Sequence, residues 1–146
     1  GDFIRQNDHV HIGVAVAVED GLLVPVLRHA DQMPLSAISA QVKDLAGKAK
    51  NKKLQPSDWE GNTFTISNLG MFGVEEFTAI VNPPDAGILA VGGINQVPVV
   101  IPVFVFPGNV MTFTLSCDHR VIAVSSVAAF LQSVTVFLEN PVTMLV

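Results

Sequence analysis

The sequence predicts an α/β (α+β) fold, a two-layer sandwich in which helices pack on a mixed β-sheet. Two observations predict it. Strand-like runs open the chain, one amphipathic helical stretch follows, then a series of short strands leads to a final long helix. The composition, 49% apolar and 14% charged over 146 residues, is that of one domain able to bury a core.

HVHIGVAVAVED, residues 9–20, is an unbroken run of small and β-branched residues, expected to be a strand covered on both faces. Glu19, Asp20 and Gly21 turn it, and LLVPVLRHA returns as the second strand of a hairpin. Pro25 places that strand at an edge or a bulge, because it cannot donate to a ladder. His9 and His11 fall on one face of the first strand, since side chains repeat every second residue. With no third ligand in the stretch, a structural role is expected of both, and no metal.

MPLSAISAQVKDLAGKAKNKKL spaces Leu35, Ile38, Val42, Leu45 and Ala49 along one helical face. Pro34 suits the first turn, and lysines 48, 50, 52 and 53 suit the negative end of the helix dipole. QPSDWEG is a loop, TFTIS a strand, NLGMFG a turn, NPP a rigid break and AGILAVGG a buried strand. VPVVIPVFVF and NVMTFTLSC are expected to pair around PGN, and VIAVSSVAAFLQSVTVFLEN is long enough for the closing helix. PVTMLV ends the chain as an apolar tail.

Composition excludes several classes of function. A net charge of -5 offers no basic surface for nucleic acid. The longest apolar region, residues 86–108, is broken by Gly, Asn, Gln and Pro and reads as strands and turns rather than a membrane span. Cys117 stands alone, so it forms no internal disulfide and is read as a small apolar residue at a strand end. No signal peptide opens the chain. GDFIRQNDHV reads like the interior of a domain, and an N-terminal portion is expected before it. From Ala86 onward the only charged residues are Asp118, Arg120 and Glu139. So little polar surface implies that other subunits cover the C-terminal half.

The candidate chemistry lies in LSCDHRVIAV. His119 stands between a charge-free strand and a helix, flanked by Asp118 and Arg120. Histidine titrates near neutrality, and a loop at a strand end is a reasonable place for a general base. No G-x-S-x-G elbow, phosphate loop, dinucleotide fingerprint or zinc spacing accompanies it.

GLLVPVLRHAD, LAGKAKNKKL, GNTFTISNLGMFGVEEFTAIVNPPDAGILAVG, LSCDHRVI and FLENPVTMLV run in order through nearly the whole chain. Together they resemble the catalytic domain of the dihydrolipoyl acyltransferases, the cores of the 2-oxoacid dehydrogenase complexes. The SNLGMFG to AVG segment is most similar to the acetyltransferase branch that serves pyruvate dehydrogenase. The resemblance implies a chloramphenicol acetyltransferase-like fold, with residues 1–146 as roughly the last two-thirds of the domain. It implies acetyl transfer from acetyl-dihydrolipoamide to coenzyme A, with the lipoyl group carried on a separate domain and no metal. His119 would be the base, Ser67 the donor to the oxyanion, and Asn68, Asp118 and Arg120 supporting residues.

The same resemblance implies that Ser67 and His119 meet across a subunit boundary in a homotrimer. Trimers would build a cubic or icosahedral cage, with the apolar tail docking into a neighbouring trimer. The 2-oxoacid decarboxylase and dihydrolipoyl dehydrogenase subunits would attach through domains this chain does not include. No nucleic acid and no membrane are expected as partners. The compartment would be bacterial cytoplasm or mitochondrial matrix.

One departure stands out. The family pattern continues from Asp-His-Arg through two residues to Asp-Gly, where this chain has Ala123 and Val124. The loss is expected to deprive Arg120 of a partner, loosen His119 and strain a backbone position that suits glycine. A non-catalytic core scaffold is therefore the alternative reading. A relative acting on a small-molecule acceptor is a further one, and the core-forming tail argues against it.

Overall fold

The computed structural model describes residues 3–145; Gly1, Asp2 and Val146, the last residue of the tail, lie outside the described residues. A five-stranded mixed sheet organises the fold. Its strands are β1 (Ile12–Val14), β4 (Val26–Leu27), β5 (Phe64–Asn68), β6 (Gly87–Val91) and β9 (Phe113–Cys117), in the order β4-β1-β5-β6-β9. β1, β5 and β6 run parallel, and β4 and β9 pair antiparallel at the two edges. Two hairpins stand apart from it: β2 (Val16–Val18) with β3 (Gly21–Leu23), and β7 (Asn95–Ile101) with β8 (Phe104–Val110).

The expected first hairpin exists but is split. Its tip, β2–β3, leaves the main sheet, while its base, β1–β4, remains in it. The division falls at Ala15 and at Pro25, which is fully buried, and whose carbonyl accepts the Val14 N–H at 2.9 Å. Pro25 thus immediately precedes an edge strand, where a missing donor costs no ladder bond. The run is not covered on both faces as expected, for Gly13 and Val16 are buried but Ala17 is exposed. Nor do His9 and His11 share a strand face, since β1 begins only at Ile12.

The predicted helix is α1 (Leu35–Lys50), with Pro34 as its N-cap and Lys48 and Lys50 in its last turn. Ala49 is fully buried against Val16 and Leu54, and Val18, Leu23 and Leu45 close around them. Ile38 and Val42 are half-buried on the same face, whereas Leu35 at the N-terminus remains exposed. Two of the lysines are paired: Lys48 with Asp44 on the same helix and Lys52 with Asp20 at the β2–β3 turn.

TFTIS and AGILAVGG fold as β5 and β6, and four of the five β6 residues are buried. The pairing predicted around PGN does not occur. The chain reverses at Pro102 and Val103 instead, and PGN lies inside β8, with Pro98 opposite Pro107. Both strands of an isolated pair are edges, so each tolerates a proline. β9 pairs with β6 rather than with its predecessor.

The closing helix is α2 (Val124–Glu139), followed by a turn of 3-10 helix at Pro141–Leu145. α2 lies along β9, and its Phe130 ring stands 5.9 Å from that of Phe64 on β5. No residue of α2 is buried, and Val100, Val103 and Leu145 are 76%, 86% and 82% exposed. Apolar residues on α2, on β7–β8 and in the tail thus form the uncovered surface that the charge distribution foretold.

Candidate active site

β9 ends at Cys117, and the ladder runs one step further, the Asp118 N–H donating to the Ala86 carbonyl at 2.9 Å. The chain then turns sharply, with the N–H groups of Val121 and Ile122 both donating to the Asp118 carbonyl at 3.1 Å. His119 stands exposed on this turn. Its Nδ1 lies 2.9 Å from the Ile122 carbonyl oxygen. A carbonyl only accepts, so Nδ1 carries the proton of the neutral ring and Nε2 presents a lone pair.

Arg120 has a partner after all. Its Nη2 donates to Asp118 Oδ2 at 2.6 Å, and its Nε donates to both carboxylate oxygens, at 2.9 and 3.1 Å. The Arg120 N–H also donates to Asp118 Oδ1, at 3.0 Å. These hydrogen bonds hold the Asp118 carboxyl down to about 2 and raise the Arg120 guanidinium. An ion pair inside the Asp-His-Arg segment therefore braces the turn that carries His119. Cys117 beside it is half-buried, and burial pushes its thiol up, away from a reactive thiolate.

Ala123 is the N-cap of α2 and offers no side-chain hydrogen bond to the first turn. Aspartate or asparagine there would accept one, so the departure removes a helix cap. Val124 needs no special backbone angle: it is the first helical residue, and among the described non-glycine residues only His29 and Lys52 have positive φ. The expected strain is absent. Beneath the start of α2 lies an apolar cavity of about 220 Å³ lined by Phe64, Cys117, Ile122, Ser126, Val127 and Phe130.

Ser67 lies half-buried on β5, two residues from Thr65 and so on the same face. Thr65 Oγ1 and Asn62 Nδ2 both donate to Asp85 Oδ2, an aspartate only 4% exposed. Sequence reading saw only a rigid break around Asp85, because nothing local shows that the carboxylate turns inward. Asn68, expected to support the site, uses its Oδ1 to accept the Gly70 N–H at 2.8 Å, fixing the turn after β5.

The structure does not bring Ser67 and His119 together within one chain. Ser67 is level with Ala90 and, across β6, with Thr114, whereas β9 runs on to Cys117, level with Gly87. Three residues of about 3.3 Å and two strand spacings of about 4.8 Å put the end of β9 about 14 Å from Ser67. His119 leaves from that far end. Neither residue faces a metal-ligand cluster; among the described residues the one group with such spacing is His9, His29 and Asp31.

This mixed sheet with its two helices is the fold of acyltransferase core domains. It superposes on the dihydrolipoamide acetyltransferase of Azotobacter vinelandii with a TM-score of 0.95 and 38% identity, covering 100% of this chain and 60% of that one. On the cubic core of the pyruvate dehydrogenase multienzyme complex the TM-score is 0.92 at 40% identity, covering 96% and 58%. In sequence it is 48% identical to a mitochondrial protein of Arabidopsis thaliana, dihydrolipoyllysine-residue acetyltransferase component 3 of pyruvate dehydrogenase complex, over 99% of this chain. The match spans 27% of the Arabidopsis protein, so the chain corresponds to about a quarter of that relative's length. Residues 1–146 match the family of 2-oxoacid dehydrogenases acyltransferase (catalytic domain). The chain belongs to this family.

Proposed function

We propose that this chain forms part of the core of a pyruvate dehydrogenase-type complex and transfers acetyl from acetyl-dihydrolipoamide to coenzyme A. The observation that carries the reading is the hydrogen bond from His119 Nδ1 to the Ile122 carbonyl, which leaves Nε2 free to act as a base. A second observation supports it. In the Azotobacter vinelandii dihydrolipoamide acetyltransferase, a serine, a histidine 52 positions later and an asparagine four positions after that have a role in the catalytic mechanism. Ser67 and His119 have the same separation, and Ala123 stands where that protein has asparagine.

His119 Nε2 takes the proton from the coenzyme A thiol as sulfur attacks the thioester carbonyl carbon. A thiol is mostly protonated at neutral pH, so a positioned base contributes roughly 10²–10⁴-fold. The carbonyl oxygen becomes an oxyanion, to which the Ser67 hydroxyl donates. When the intermediate collapses, the bond to the dihydrolipoyl sulfur breaks, and His119 returns its proton to the departing thiolate. Acetyl-coenzyme A and dihydrolipoamide result.

The sheet register favours a site shared between chains, since a donor must lie about 3 Å from the oxyanion and Ser67 lies far from His119 in one chain. The His119 end of one sheet meets the Ser67 end of another in a head-to-tail contact, which closes into a ring. The resemblance supports a trimer as that ring, and the apolar surface of α2, β7–β8 and the tail is suited to burial within it and its cage. The decarboxylase and dihydrolipoyl dehydrogenase partners would be recruited through other domains.

The test is acetyl transfer from acetyl-dihydrolipoamide to coenzyme A by the assembled protein, beside His119→Ala and the paired Ala123→Asp with Val124→Gly. Turnover that disappears with His119→Ala supports the reading. Turnover seen only after the paired substitution would instead mark this chain as a scaffold.

A further inference from the structure

We propose that His9, His29 and Asp31 form a surface site for a divalent transition-metal ion of the zinc, nickel or copper kind. No ligand set surrounds His9 in its own stretch of sequence; the fold supplies His29 and Asp31. Antiparallel pairing of β1 with β4 places the segment before Ile12 against the one after Leu27. One donor atom each from His9, His29 and Asp31 then lie within 4.8 Å of one another. Two imidazoles and a carboxylate are a borderline donor set that suits zinc, nickel and copper better than calcium or magnesium.

The geometry is already partly that of a bound site. His9 Nδ1 stands 3.4 Å from Asp31 Oδ2. Two ligands of a tetrahedral zinc, each at about 2.0–2.2 Å, are separated by about 3.3–3.5 Å. Gln32 Nε2 lies 3.3 Å from the same His9 Nδ1. A cation bound between them replaces the proton that His9 and Asp31 otherwise share.

The remaining atoms of the cluster are held from outside. Asp31 Oδ1 accepts the Val10 N–H at 2.9 Å, and His11 Nδ1 accepts the His29 N–H at 2.9 Å. The His9 and His29 rings meet edge to face with centroids 4.9 Å apart. All three ligands are exposed, so His29 closes the remaining gap by side-chain rotation, and water completes the coordination. The cluster borders β1 and β4, which are three and four strands from β9 in the sheet order, so it lies at least about 14 Å across the sheet from the His119 turn. Within one chain it stands apart from His119.

The experiment is calorimetric titration of the assembled, chelator-dialysed protein with zinc chloride, and a thermal scan with and without the ion. The variants are His29→Asn, which keeps a residue tolerant of the left-handed backbone found there (φ 53), and His9→Gln. His119→Ala serves as control for binding at the transfer site. The proposal expects one zinc per chain with a dissociation constant below about 10 µM, a raised melting temperature, and binding at least tenfold weaker in either variant but unchanged in His119→Ala. Absence of binding by the unsubstituted protein, or binding unchanged in both His29→Asn and His9→Gln, overturns it.

Discussion

The Nδ1 atom of His119 lies 2.9 Å from the carbonyl oxygen of Ile122, three residues along the same turn. This hydrogen bond fixes both the tautomer and the ring plane, so the imidazole is oriented by backbone rather than by a carboxylate. His119→Ala is predicted to lower the turnover number by about 10²–10⁴-fold with little change in KM, because the base acts on the proton and contributes little to binding. Steady-state kinetics on assemblies of unchanged mass check this.

Ala123 leaves the first turn of α2 uncapped. Ala123→Asp or Ala123→Asn should stabilise the protein by about 0.5–2 kcal/mol, the aspartate gaining also from the helix dipole. Denaturant unfolding measures this directly. A gain shared by both variants identifies capping, whereas a gain confined to aspartate identifies charge.

Asp118 titrates at about 2 because Arg120 hydrogen-bonds its carboxylate. A depressed folded-state value means that the pair stabilises the turn fully above about pH 4, the ordinary carboxylate range, and that this is lost as pH falls through about 2. Asp118→Asn should therefore be less stable than the parent at pH 5, with the difference vanishing only below about pH 2. Unfolding curves across that interval, and the carboxyl carbon shift of Asp118, give the check.

The tail is apolar and uncovered, with Val142 71% and Leu145 82% exposed. On the proposed assembly, deleting Met144 to Val146 releases trimers from the cage, and the trimers keep their transfer activity. Sedimentation or light scattering would register the fall in mass. A cage of unchanged mass would mean that the tail folds on its own subunit.

Much of the fold was legible because the signals were local. The 3.6-residue spacing from Ile38 to Ala49 marked α1, and apolar runs between glycines and prolines marked β5 and β6. The errors arose where pairing is long-range. PGN reads as a turn in sequence but is tolerated inside β8, because each strand of an isolated pair has one side with no ladder bond to lose. The split at Pro25 likewise depends on which strand lies outside it.

The site was legible in a different way. His119 and Ser67 were found through resemblance, since one histidine and one serine in unrelated segments carry no local signal of each other. The carbonyl that orients His119 belongs to a turn that no sequence pattern specifies. His29 and Asp31 were invisible as companions of His9 until β1 and β4 were paired.

The measurement that tests the central claim most directly is complementation between inactive chains. Ser67→Ala and His119→Ala proteins, each inactive alone, would be mixed, unfolded and reassembled together. If each site takes its serine from one chain and its histidine from another, random pairing restores about a quarter of the parental activity. Mixed assemblies that stay as inactive as their components would contradict a site shared between chains.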